Sequence, residues 1–368
     1  MIVWAVQSLA EIKETTWPIT PHTKAKHQIL EEYLKAWFPI LLRWQKRVIY
    51  LDGFAGPGIY SGGEEGSPII ALRTALTHKF ASRFGEIVFL FVEKNKDRAD
   101  LLRKVINRRF GHLPRNILCD VRSEEFKLTL EQSLNDLEEK GAQLAPTFAF
   151  LDPFGFSGFP MSVLKRLLAY DKSETLITFM VGFVKRFAVE QPDAVTELFG
   201  TDKWRHIPDS PDRERLYIDL YEAQLKTAGA KYVRSFQMIS ENNQTIYYLV
   251  YATKDPKGMA VMKDAMWKVD RRGTYRFSDI TDPGQSYLLD YSQTNVWVPA
   301  AANEVYAYFR GKTTSCQEVG NFVAVGTRYP FRKSILQHLE ETCRIAEVAG
   351  RIRARSFPDG CTITLSSK

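Results

Sequence analysis

The chain has 368 residues, 45% of them hydrophobic and 25% charged. That is an ordinary globular composition with apolar material for a sizeable core, and the length suggests about two domains. The 50 basic against 43 acidic residues leave a net charge of +7 and a pI near 9.0, which fits a polyanionic partner or simply a solvated basic surface. No apolar run approaches the ~18–20 residues of a membrane span. Cys119, Cys316, Cys343 and Cys361 form no CxxC pair. The pattern excludes a disulfide framework and a cysteine zinc site, calls for no metal, and suits a reducing, cytoplasmic setting. Met1 to Ala10 lacks a basic leading region and does not read as a signal peptide.

Residues 22–46 place Ile29, Leu30, Tyr33, Leu34, Trp37, Phe38, Leu41 and Leu42 at steps of three and four. This predicts an N-terminal helical segment (1–46) with one wide apolar face. Pro39 should kink or divide it. Lys24, Lys26 and His27 lie at its start, as solvated positions or as groups able to reach a ligand. A strand at 47–51 leads into Gly53-Phe54-Ala55-Gly56-Pro57-Gly58. Ser67 and Pro68 open a helix as N-cap and first-turn residue.

Further strands are expected at 87–92, 116–119, 147–151 and 175–181, with helices between them. A polar, mainly helical insertion occupies about 186–230. The aromatic, β-branched runs 232–240 and 245–253 around Glu241-Asn242-Asn243-Gln244 form an antiparallel hairpin. The fold class is therefore α/β: a Rossmann-like sheet over 47–275, mostly parallel, with an antiparallel hairpin edge. A helix over 257–272 carries Met259, Met262, Met266 and Trp267 at helical spacing, the mark of a core face. Residues 276–300 read as a linker. Residues 301–368 give helices near 302–310, 315–322 and 331–343, then a hairpin from 345–356 and 361–365, the order of a small winged-helix-like domain.

Four successive strands are expected to end in a carboxylate: Asp52, Glu93, Asp120 and Asp152. In a parallel sheet those ends share one rim, where open α/β sheets bind ligands. The set suits a nucleoside. Glu93 can accept from both ribose hydroxyls, Asp120 can accept from the adenine amine, and the loop with Asp52, Gly53, Phe54, Ala55, Gly56 and Gly58 can approach the remainder. Glycine permits the close approach and the positive φ that such loops need. A dinucleotide fingerprint would be G-x-G-x-x-G opening directly into a helix. Here a carboxylate lies within the motif, and it would repel a pyrophosphate but attract a cationic ligand. S-adenosylmethionine, with a sulfonium and an ammonium, therefore fits better than NAD. Asp152-Pro153-Phe154-Gly155 ends the fourth strand, where a transferable methyl would point. Its carboxylate and carbonyls can hold an amine's hydrogens, and Phe154 or Phe156 can stack on a planar base; the plainer alternative is a turn with core aromatics.

The chain as a whole resembles a Rossmann-like class I methyltransferase. LDGFAGPG, FLDPFG and YYLVYATKDPKGMAVMKDAMWKVD together resemble the three-Cys-motif partner family over about residues 24–270. The resemblance implies a methyltransferase-like fold, a bacterial or phage-associated setting and a gene-neighbour protein with a three-cysteine motif. DPFG separately resembles motif IV of tRNA N2-guanine dimethyltransferases, which implies that Asp152, Pro153 and Phe154 lie on the substrate side. Arg351, Arg353 and Arg355 alternate along one expected wing strand and so share a face suited to phosphates. Lys263 and Arg271 are candidates for the same role. The reading is a methyltransferase acting on a nucleobase amine in RNA or DNA. The alternatives are a protein or small-molecule acceptor linked to the three-cysteine partner, or a non-catalytic nucleic-acid-binding module.

Overall fold

The computed structural model describes residues 14–155, 159–270, 272–280 and 296–367. Helix α1 (Pro21–Leu42) comes first, and Pro39 lies inside it without ending it. Proline cannot accommodate the usual bond to the carbonyl four residues back. That carbonyl, on Lys35, is hydrogen-bonded by His78 instead.

Strands β1 (Arg47–Asp52), β2 (Glu86–Val92), β3 (Ile117–Arg122), β4 (Thr147–Leu151) and β5 (Ser173–Phe179) are parallel. Strands β6 (Tyr232–Ile239) and β7 (Thr245–Thr253) form the antiparallel hairpin, with β7 against β5. The short β8 (Arg276–Ser278) runs parallel to β6 and gives the order β3-β2-β1-β4-β5-β7-β6-β8. Residues 276–278, expected to begin a linker, are thus part of the sheet.

Helices cover both faces. With α1, helices α2 (Ser67–Leu76), α3 (Lys96–Phe110) and α9 (Pro256–Val269) bury one apolar layer. On the other side lie α4 (Phe126–Glu139), α5 (Met161–Ala169), α6 (Val181–Phe187), α7 (Pro192–Phe199) and α8 (Arg213–Thr227). Of these, α7 and α8 fall within the expected 186–230 insertion, whereas α6 begins at the expected end of the fifth strand. Met259, Met262 and Met266 are buried core residues of α9.

A third core belongs to the C-terminal unit, built from α10 (Val298–Phe309), β9 (Thr313–Ser315), α11 (Cys316–Gly326), α12 (Lys333–Glu341), β10 (Ile345–Ala349) and β11 (Thr362–Leu365). Its sheet order is β10-β11-β9. Lys263 on α9 is fully buried where this unit docks, and its Nζ donates to the carbonyls of Val323 and Thr327 at 2.7 and 2.8 Å. The expectation of a phosphate-facing Lys263 is corrected: its amine is hydrogen-bonded to carbonyls at the carboxyl end of α11, and burial lowers its pKa to about 6. Arg271 lies outside the described residues, as do Phe156 and most of the expected linker.

Candidate active site

β1 ends in Asp52, whose side chain is fully buried. Its carboxylate accepts from the Phe54 amide at 3.3 Å and the Tyr50 hydroxyl at 3.4 Å, and it bonds the Ser67 hydroxyl at the start of α2. Burial pushes its pKa up to about 7 against the opposing effect of those donors, and nearby Asp152 adds to the rise. Among the described residues no cation pairs with it.

The loop that follows is tied to its neighbours by backbone bonds: the Gly53 amide to Phe150 at 3.0 Å and the Ala55 amide to Val92 at 2.9 Å. Its glycines serve packing more than ligand approach. A Cβ on Gly53 would lie 2.7 Å from the Phe126 ring, and one on Gly58, at φ +74°, would lie 2.5 Å from Leu102. Gly56, at φ +61°, lies beneath Trp17. The Trp17 carbonyl accepts from Ser61 at 3.0 Å, so the segment before α1 lies across the loop.

Glu93 follows β2 and is nearly buried. One of its oxygens accepts from the Gly56 amide at 2.9 Å and the other from Asn95 at 2.8 Å. Each oxygen keeps a free lone pair, so the residue both fastens the glycine loop and can still accept from a ligand. Asp120 departs from expectation. β3 runs on to Arg122, and Asp120, paired in register with Leu90, lies below the rim with an ion pair to Arg122 at 2.9 Å. The reason is that β3 is an edge strand, where a solvated face accommodates an Asp-x-Arg step without ending the strand. Three acidic positions, not four, reach the rim.

The third of these is Asp152. Thr178 donates to its Oδ1 at 2.6 Å, and Lys26 of α1 pairs with its Oδ2. Pro153 is buried and Gly155 sits at φ +125°. The Phe154 ring is 59% exposed, with its centroid 5.2 Å from Trp17 in an edge contact. The Arg98 guanidinium lies 5.1 Å from the Trp17 ring and 5.8 Å from that of Phe154. Beside this group the buried His27 is held neutral, its pKa lowered to about 3 by burial and by Lys26, and its ring rests 5.7 Å from Tyr60.

Sequence reasoning missed Thr178, and it named Lys26 only as a solvated position or a group able to reach a ligand, not as the partner of Asp152. The signal for Lys26 was present: it lies three, four and seven residues before Ile29, Leu30 and Tyr33, on the stripe read as core. The arginines of the C-terminal unit also need correction. β10 ends at Ala349, so residues 351–355 form turns rather than one alternating strand face. Arg351 pairs with Glu340 at 2.5 Å and Arg355 with Glu341 at 3.4 Å. Of the three, Arg353 is exposed and has no carboxylate partner among the described residues.

No family model and no curated protein matches the chain. Among solved structures it is similar to Trm1 from Pyrococcus horikoshii in complex with S-adenosyl-L-methionine, at 14% identity over 67% of this chain and 59% of that one, with a TM-score of 0.36. The cyclopropane synthase MmaA2 from Mycobacterium tuberculosis is 12% identical over 68% of this chain and 70% of its own, TM-score 0.30. PKMT2 from Rickettsia typhi in complex with AdoHcy is 11% identical over 88% and 74%, TM-score 0.28. Likenesses this distant identify no activity. The strand order, with β7 reversed between β5 and β6, is that of the class I methyltransferase sheet. No described helix is long and apolar enough to cross a membrane.

Proposed function

We propose that the chain is an S-adenosylmethionine-dependent methyltransferase acting on an exocyclic amine of a nucleobase in RNA or DNA. The observation that supports it most is Asp52, a fully buried carboxylate on the sheet rim with no cation partner among the described residues. Burying an unpaired carboxylate is costly, and a ligand carrying positive charge removes that cost. When bound, S-adenosylmethionine supplies a methyl on a sulfonium that a neutral amine can take by direct displacement.

The chain's own residues bind and align. Asp52 and the 53–58 loop hold the methionine end, with Glu93 left for the ribose. Asp152, fixed from two sides, offers its remaining lone pairs to the amine's hydrogens, while the Pro153 turn directs the backbone after it. The exposed Phe154 ring, backed by Trp17, suits a planar base taken out of its stack. Most of the acceleration then comes from holding the amine and methyl in line. The exposed Arg353, with its neighbours in the 351–355 turns, is proposed as a phosphate contact. The gene-neighbour three-cysteine protein is proposed as a partner.

Isothermal titration of the pure chain with S-adenosylmethionine tests the basis, and absence of binding defeats it. Asp52→Ala is expected to abolish binding. Asp152→Ala is expected to bind normally and transfer no methyl; the reverse pattern contradicts the assignment. Tritiated methyl appearing in the partner protein and not in nucleic acid would move the acceptor to protein.

A further inference from the structure

The face of α1 that seats Ile29, Leu30 and Tyr33 in the core also carries Lys26, whose ammonium ends on Asp152 Oδ2. The Lys26 side chain is 5% exposed and that of Asp152 22%. A buried ion pair is a poor device for stability, because desolvation offsets most of the attraction. Nor does α1 need it as an anchor: Ile29, Leu30, Tyr33, Leu34 and Phe38 are all fully buried against the sheet.

An ammonium also has three N–H donors. Among the described residues Asp152 is the only hydrogen-bond acceptor that Lys26 meets. The Tyr247 ring faces the ammonium with its centroid 5.1 Å away, which holds the charge without using its donors. A desolvated cation with donors to spare, beside the carboxylate that takes the amine, lacks an acceptor atom that the chain itself does not provide.

We propose that Lys26 reads the atom next to the methylated amine. The acceptor base presents its amine to Asp152 and the adjoining unprotonated ring nitrogen to Lys26. This rests on the nucleobase reading above and narrows it to an edge on which amine and ring nitrogen share one carbon. Aliphatic amines have no such edge and are excluded by leaving Lys26 unsatisfied. The contact acts on binding and not on the chemical step. The attacking nitrogen gains positive charge, so a neighbouring ammonium offers it nothing extra in the transition state. Losing the contact therefore raises KM and leaves kcat nearly unchanged.

The test uses the full chain with tritiated S-adenosylmethionine on single-stranded oligonucleotides. In separate oligonucleotides, adenine, cytosine or guanine is replaced by 1-deazaadenine, 3-deazacytosine or 3-deazaguanine, which put C–H in place of the adjoining nitrogen. The deaza form of the methylated base is expected to raise KM by about tenfold to a hundredfold, the value of a charged hydrogen bond, with kcat little changed. Lys26→Met is expected to remove the difference between natural and deaza oligonucleotides, both now binding weakly, while S-adenosylmethionine still binds. Equal KM for natural and deaza bases in the wild-type chain overturns the inference and leaves the nucleobase reading standing. So does a difference that persists in Lys26→Met. If that variant does not fold, the wild-type deaza comparison still decides. Absence of methylation on the natural oligonucleotide overturns both.

Discussion

Asp52 is buried where water cannot stabilise its charge, and this ties both stability and ligand binding to pH. Its pKa stands at about 7 against an ordinary 3.8. A carboxyl whose folded pKa is raised contributes stability that is fully present below the unfolded value and lost as pH rises through the folded one. Unliganded stability should therefore decline between about pH 4 and about pH 7, and denaturant titrations of Asp52→Asn should show a flatter profile over that window. Binding has the opposite sign. A cation beside Asp52 favours its ionised form, so S-adenosylmethionine should bind more tightly as pH rises towards 7, by up to about tenfold per unit. Titration at about pH 5.5 and about pH 8 reads this directly, and equal affinity would remove Asp52 from the cation's side. Asp152 contrasts with it. Its charge already has Lys26, so the two carboxylates on one rim meet different ligand groups: one a cation, the other a neutral amine.

At the scale of elements, α1 is held at its far end by a buried hub. Glu174 of β5 accepts from Tyr33 at 2.5 Å, Trp37 at 3.0 Å and Thr253 at 2.9 Å, and Tyr251 completes the set. The distinctive segment around Tyr251, Thr253 and Gly258 thus has a structural task. A Cβ on Gly258 would sit 2.4 Å from Glu174 and 2.7 Å from the Tyr251 hydroxyl. Gly258→Ala should destabilise the chain by about 1–3 kcal/mol, seen as a lowered thermal midpoint with S-adenosylmethionine affinity retained at low temperature. The elements legible in sequence were those with a strong period: the apolar runs of β1, β2 and β4, the β6–β7 hairpin, and the stripe of α1. Those missed had weak local signals. β8 is three residues with one buried side chain, Phe277, and exists because β6 offers it an edge. The extension of β3 past Asp120 came from its edge position. The Asp52 site was legible because glycines and a carboxylate mark it locally. Lys26 and Thr178 reach Asp152 from elements remote in sequence, and no local pattern reports such a meeting.

For the whole molecule, the C-terminal unit is joined to the sheet domain through polar contacts, of which those of Lys263 are buried. Besides Lys263, Arg328 donates to the Gly273 carbonyl and Tyr275 donates to that of Arg328. Any nucleic acid bound by the unit is therefore presented at a set position relative to Asp152. A shift assay on nuclease-treated protein should show affinity falling with salt, and Arg353→Ala should reduce the slope of log affinity against log salt by about one. No salt dependence would count against phosphate contacts. The long reach of α1 has a consequence for biogenesis. Its 22 residues make a rod of about 33 Å. Several of its polar partners stand far along the chain, 126 positions away at Asp152, 218 at Tyr251 and 257 at Asp279. The helix is thus made before these partners and meets them late. At ribosomal speed its apolar stripe waits on the order of ten seconds or more for β7 and α9 to emerge. During that interval the nascent chain offers chaperones an amphipathic helix, and the contacts of Lys26 and Thr178 with Asp152 are not yet complete.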